Sequence, residues 1–366
     1  MKDFKIFVIN PGSTSTKLSL FENETNVWTK KVFHKSEDLA KFDCINAQLD
    51  YRFDLILKLL KEEGIDLSDV DAIVGRGGGH YSVPSGVYEI TPLLVADTVA
   101  MKSGVEHSSM LGIQLANKLH EVYGGIMIML DPIMLDEYED VARMTGIKGV
   151  YRIPSSHALN QKGVAMKFAK DQGKKYSELN LIVGHIDGGI TVGAHKKGKM
   201  VDCNGGANGD GPYAPSRIGS IGISEFIDYA KGKDLDEIKH MCNIGGGFSS
   251  LLGTNDADVV MERIQNGDKA AKRAWDGMVY QICKTIGSMA TVMCGKVDAI
   301  VLTGGLMRFK CIEDEIIERC GFIAPVYTYP GEVEQEAMAA GAMRVLTGKE
   351  ELKQYTGKPV FEGFDD

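Results

Sequence analysis

Short apolar runs alternate with amphipathic stretches along this chain. The apolar runs predict strands at 4–9, 17–21, 27–33, 71–75, 126–130, 180–186, 190–195, 199–203, 298–303 and about 322–328. They are rich in Val and Ile and bounded by Gly, Asp or Asn, as strands are. Between them the apolar positions fall at helical spacing. Residues 50–63 set Phe53, Ile56, Leu57 and Leu60 on one face and stop at Gly64. Residues 109–123 and 156–172 also predict helices. The longest helix is predicted at 268–294, with Trp275, Val279, Ile282 and Ile286 on one stripe, and a last one at 332–347 stops before Gly348. The alternation predicts α/β domains with mixed sheets.

One pattern occurs twice. Near the N-terminus an apolar strand ends at Asn10, turns through Gly12 and Ser13, and resumes as a strand at Lys17; the same order returns as strand, Asp187, Gly188-Gly189, strand. Such a hairpin can turn backbone N–H groups and hydroxyls toward an anion, forming a phosphate nest. Two copies predict two related domains facing one nucleotide, and hence phosphoryl transfer. A length of 366 residues suits two domains. The stretch 204–222 is rich in Gly, Pro, Asn and Ser, and a loop of that length points to function.

Composition narrows the classes. Hydrophobic residues make up 44% and charged residues 25%, the balance of a soluble globular protein, and the net charge of -9 argues against a general nucleic-acid binder. The seven cysteines form no CxxC pair and no zinc spacing, which fits reduced thiols in the cytoplasm. No apolar run reaches the ~18 residues of a bilayer span, and the N-terminus carries no signal-peptide core. A cytoplasmic protein without a membrane partner is expected.

The candidate chemistry sits on turns. Ser13, Ser15 and Lys17 alternate, so a period of two can point two hydroxyls and an ammonium to one side, with Asn10 at the strand end. The second hairpin offers Asp187, Gly188, Gly189 and Thr191, and a third turn, Thr303-Gly304-Gly305-Leu306-Met307, follows a strand and precedes a helical pattern. No GxxxxGK[ST] occurs, and the glycine run around Arg76 is followed by helix-breaking residues, which rules out a dinucleotide fingerprint. Arg76 and Arg217 are candidate clamps for a transferring phosphoryl group. Asp131 ends a strand, His107 and His157 stand at helix starts, and Glu334 and Glu336 open the last helix.

Together Asn10-x-Gly12-Ser13-x-Ser15-x-Lys17, the Arg76 segment, the Asp131 region and the two later glycine turns resemble the acetate kinase family, within the sugar kinase/Hsp70/actin superfamily, over roughly Lys5 to Gly348. The length, the Arg76 segment and the Asp131 region are most similar to the branch of that family acting on butanoate or branched short-chain acids. The resemblance implies two ribonuclease H-like domains with mixed sheets around an interdomain cleft. Residues 1–155, completed by a C-terminal helix at about 332–356, would bind the acid, and residues 156–331 the nucleotide. It implies Arg76, Arg217, Asp131 and Lys17 as catalytic residues, with Arg76, His107 and His157 at the acid. It implies Asn10, Ser13, Ser15, Asp187, Gly188, Gly189, Thr191, Gly304 and Gly305 at ATP, and Asn10 and Glu336 at Mg²⁺. Assembly into a homo-oligomer is implied as well. One departure stands out: Ile153 occupies the place of the first histidine of the family's FHGTSH motif.

The expected activity is reversible transfer of the ATP γ-phosphate to butanoate or a branched acid. Acetate or propionate is the near alternative. A sugar or polyol kinase, with Asp187 or Asp131 as base, and an actin- or Hsp70-like conformational or filament protein are the alternatives of other kinds.

Overall fold

Lys5–Pro11 (β1) buries Ile6, Phe7, Val8 and Ile9 on both faces, the pattern of a central strand. The computed structural model, which describes residues 3–206 and 209–364, places it so; Ala207 and Asn208 of the long loop lie outside the described residues. With Ser15–Glu22 (β2), Thr25–Phe33 (β3), Ala72–Gly75 (β4), Val87–Glu89 (β5) and Ile126–Leu130 (β6), it forms a sheet of order β3-β2-β1-β4-β6-β5. The edge strand β3 is largely exposed and carries Lys30 and Lys31, charges that discourage further pairing.

The second sheet repeats the plan. Asn180–Ile186 (β7), Ile190–Lys196 (β8), Lys199–Cys203 (β9), Ala299–Gly304 (β10) and Val326–Pro330 (β11) take the order β11-β10-β7-β8-β9. In each sheet the first three strands form an antiparallel meander, and two parallel strands extend it beyond the first: β4 and β6 beside β1, β10 and β11 beside β7. The repeated hairpin is thus the opening of a repeated sheet. Both sheets are mixed, as expected. The three-residue β5, antiparallel to β6, is an addition that the short apolar pattern after Pro84 and Gly86 did not signal.

The chain divides into one unit of Met1–Asp136 with Val333–Asp366 and a second of Glu137–Glu332. The first division lies upstream of the expected 155/156 boundary because residues 137–155 are tied to the second unit. Lys162 donates to Glu137 at 2.8 Å, the Tyr138 hydroxyl to the Cys203 carbonyl at 2.7 Å, and Arg152 to Asp202 at 2.7 Å. The helix Glu334–Leu346 belongs to the first unit.

Each unit has its own core. In the first, Phe53, Ile56 and Leu60 of the helix Leu49–Glu63 pack with Phe7, Ile9 and Ile73 of the sheet. In the second, Trp275, Val279, Ile282 and Ile286 of the helix Lys269–Val292 pack with Ile182, Val192 and Leu302. The glycines around Arg76 serve close packing. A Cβ at Gly75 would overlap the Gly112 carbonyl, and one at Gly112 would overlap the Arg76 backbone, so the helix Met110–Tyr123 lies directly against β4. All seven cysteines are free thiols. Among the described residues no helix is long and apolar enough to cross a membrane.

Candidate active site

The first hairpin pairs Asn10 with Lys17 and Pro11 with Thr16, and the Gly12 N–H closes the turn on the Ser15 carbonyl at 2.7 Å. Along β2, Thr16 and Leu18 are buried while Ser15 and Lys17 are half-buried, so the latter two share a face; Ser13 is exposed in the turn.

Near the end of β1, Asn10 is held between two charged groups. Its Nδ2 donates to Glu334 Oε2 at 2.6 Å and its Oδ1 accepts from Arg76 Nη1 at 3.1 Å. Arg76 also reaches Glu334 through Nη1 to Oε2 at 3.0 Å and Nη2 to Oε1 at 2.9 Å. Glu336, expected with Asn10 at Mg²⁺, is exposed on the same helix, and Glu334 is buried. Residues two apart on a helix point to different sides, so only one of the two acids can meet Asn10. The acid beside Asn10 is therefore Glu334.

Asp131 is buried with φ +38°, a conformation uncommon for a residue with a Cβ. Its Oδ1 accepts from Ser85 Oγ at 2.6 Å and from the Gly86 N–H at 3.2 Å. His107 Nδ1 accepts the Ser109 N–H at 3.1 Å and lies 2.9 Å from Ser109 Oγ, so the neutral ring carries its proton on Nε2.

In the second unit, the Asp187 carboxylate joins two of the predicted turns. Oδ1 accepts from the Gly188 N–H at 2.8 Å, and Oδ2 accepts from the Gly305 N–H at 2.6 Å. A Cβ at Gly305 would stand 2.7 Å from Oδ2, so this approach needs glycine. Gly304 turns the chain with φ +103°.

His157 and Thr191 also meet, His157 Nδ1 lying 2.9 Å from Thr191 Oγ1, while Gln161 Nε2 donates to the same hydroxyl at 2.8 Å. The His157 ring stacks on buried His185 at 4.0 Å. Arg217 reaches back from the long loop and donates through Nη1 to the Gly206 carbonyl at 2.7 Å. A Cβ at Gly189 would overlap Arg217 Nη1 and stand 3.2 Å from His157 Cε1. Gly189 thus lets the guanidinium and the imidazole approach the second hairpin. Among the described residues Arg217 has no carboxylate partner, and burial lowers its pKa. A guanidinium desolvated without a counter-ion is primed for an anion. Ile153 is largely exposed.

Four residues outside the expected set, His185, Glu332, Arg52 and Glu334, belong to these clusters. Donor atoms of His185, Asp187 and Glu332 lie within 4.8 Å of one another. Arg52, fully buried, donates to the Gly12 carbonyl at 2.8 Å and to the Ser13 carbonyl at 3.2 Å. Glu334 completes the Arg76 pair. Arg52 and Glu334 each left a trace: Arg52 lies four residues before Ile56, and Glu334 four before Met338, so both fall on apolar stripes.

Residues 143–318 match the model of the acetokinase family. The chain is 42% identical over 356 residues to butyrate kinase 2 of Clostridium acetobutylicum, covering 96% of this chain and 99% of that protein. Among solved structures, Porphyromonas gingivalis acetate kinase superposes with a TM-score of 0.75 at 19% identity, covering 94% of this chain and all of that one. A propionate kinase from Francisella tularensis gives 0.73 at 20% identity over 92% of this chain and 98% of its own. At these identities the two structures establish the fold, which is that of the acetate and propionate kinases.

Proposed function

The chain belongs to the acetokinase family, and from that premise we propose that it is an ATP-dependent short-chain carboxylate kinase, transferring the γ-phosphate reversibly to butanoate or a branched analogue. The observation that carries this reading is the 42% identity to a butyrate kinase along nearly the whole chain. The arrangement of charged groups within each unit agrees with it. A carboxylate is already ionised at neutral pH, so the acceptor needs no base. What the reaction does need is charge neutralisation and orientation. Arg76, clamped by Glu334 and Asn10, is a fixed guanidinium for the acid or the transferring phosphoryl group. Arg217, without a counter-ion, stabilises charge on that group as it transfers. Lys17, Ser13 and Ser15 on the first hairpin and Gly188, Gly189 and Thr191 on the second hold phosphate oxygens. Gly304 and Gly305 support the nucleoside side. Asp131, His107 and His157 orient the acid.

Magnesium belongs to this proposal, as do a cytoplasmic setting and assembly into a homo-oligomer. The ion takes oxygen donors, and Asp187 and Glu332 supply carboxylates in the right class. Asn10 offers an amide oxygen that already accepts from Arg76, and Glu336 is exposed on the last helix. Bound with ATP, the ion would supply positive charge to the phosphates.

The test is acid-dependent ADP release from ATP and Mg²⁺, with glycerol as the control acceptor. Release that requires a short-chain acid supports the proposal. Release that requires glycerol and ignores every acid moves the chain to a polyol kinase.

A further inference from the structure

The first hairpin rests on a buried cation that, among the described residues, has no counter-ion. Arg52 is 1% exposed, and among the described residues its hydrogen-bond partners are neutral. Nη1 donates to the Gly12 carbonyl at 2.8 Å and to Thr16 Oγ1 at 3.2 Å; Nη2 donates to the Ser13 carbonyl at 3.2 Å and to Gln48 Oε1 at 2.8 Å; Nε donates to Gln48 Oε1 at 3.1 Å. Among the described residues no carboxylate approaches it, and burial lowers its pKa to about 10. Neighbouring His34, 2.9 Å from Thr16 Oγ1, offers no negative charge either.

A buried charge is costly unless paired. An arginine whose only task was to tie a helix to a hairpin would do so more cheaply as a neutral residue. The outer face of the turn supplies the complement. Ser13 and Thr14 are exposed, and among the described residues their N–H groups have no acceptor. The guanidinium draws the Gly12 and Ser13 carbonyls inward, and free amides stand on the other side.

We infer that Arg52 is the positioning residue of this turn: it holds the carbonyls back so that the Ser13 and Thr14 amides face a phosphate, and its charge attracts that phosphate from behind. The phosphate is one of ATP, so the inference rests on the kinase reading. Arg52 touches no phosphate itself and acts through the turn, as the back wall of an anion nest.

The experiment titrates ATP and adenosine separately into the full-length protein and its variants, with folding checked by circular dichroism and melting. Arg52→Gln is expected to raise the Kd for ATP ~10-fold or more, the scale of one charge-assisted contact, and to leave that for adenosine unchanged. Arg52→Lys keeps the charge and loses the fork, so it falls between. If Arg52→Gln does not fold, Gln48→Ala carries the same comparison, since it loosens the guanidinium from a half-buried position. Equal weakening of both ligands, or weakening of neither, overturns the inference, because a purely structural role does not single out the phosphates. Wild-type protein that binds no ATP overturns the kinase reading together with this role. Wild-type protein that binds ATP, beside folded variants that bind it equally well, overturns the role alone.

Discussion

Arg76 and Glu334 meet through both carboxylate oxygens, at 2.9 Å and 3.0 Å, although 258 residues separate them in the chain. The pair joins the end of β4 to the helix that returns to the first unit from the C-terminal side. It also fixes Asn10 between its members. Both side chains are largely withdrawn from water, so neither charge is comfortable without the other. Glu334→Ala is expected to lower the unfolding free energy by about 3–5 kcal/mol, the cost of stranding one member of a buried pair. Urea unfolding checks this, and a midpoint equal to wild type would show that the pair contributes nothing.

Arg217→Ala is expected to lower kcat by ~100-fold or more with a smaller change in the KM for ATP, the pattern of a lost transition-state donor. Initial rates across both substrates give the comparison. Arg217→Lys keeps a point charge and loses the planar fork, so partial activity is expected. Turnover unchanged in Arg217→Ala would take this residue out of the chemistry.

The glycine at β4 is a packing requirement. Gly75→Ala drives a methyl into the Gly112 backbone, and overpacking of this kind costs about 1–3 kcal/mol or more. Gly287, inside the helix Lys269–Val292, has nothing within 4 Å of a Cβ. Gly287→Ala should therefore stabilise by up to about 1 kcal/mol through helix propensity. Melting of the two variants beside wild type reads both signs, and a stabilised Gly75→Ala would refute the contact.

Acid is expected to weaken the first unit through two histidines. Burial, then the Arg52 cation, pushes His34 down to about 4, and burial alone pushes His80 down to about 4. An unfolded histidine takes up its proton near 6.5. Between about 6.5 and 4 the unfolded chain thus binds more protons, and stability falls as pH falls. Above 6.5 the contribution is complete. Each histidine adds a slope of up to about 1.4 kcal/mol per pH unit. In a His34→Gln, His80→Gln variant this slope is gone, so its stability gap to wild type narrows as pH drops from 7 to 5 in urea unfolding. A constant gap would refute the linkage.

The strand and helix pattern was readable wherever an element is long and one-sided. The helices at 49–63 and 269–292 follow their apolar stripes, and the two hairpins announce themselves by repetition. The helix Pro92–Val99 passed unread although Thr91 caps it by accepting from the Leu94 N–H, because its short span hardly shows a period. The glycine turns at Asp187 and Gly305 were legible as turns. Which acid of the last helix meets Asn10, and the positive φ of Asp131, were not, because tertiary packing decides them. Arg52 shows the intermediate case: a cation on an apolar stripe is visible in the sequence, and its task appears only once the turn above it is known.

Trapping the product tests the central claim most directly. The protein is incubated with ATP, Mg²⁺ and hydroxylamine in the presence of acetate, propionate, butanoate, isobutanoate or valerate, and the hydroxamate is measured. An acyl phosphate product predicts hydroxamate that depends on the acid and peaks at butanoate or isobutanoate. Absence of hydroxamate from every acid, from folded protein that still binds ATP, would contradict the account.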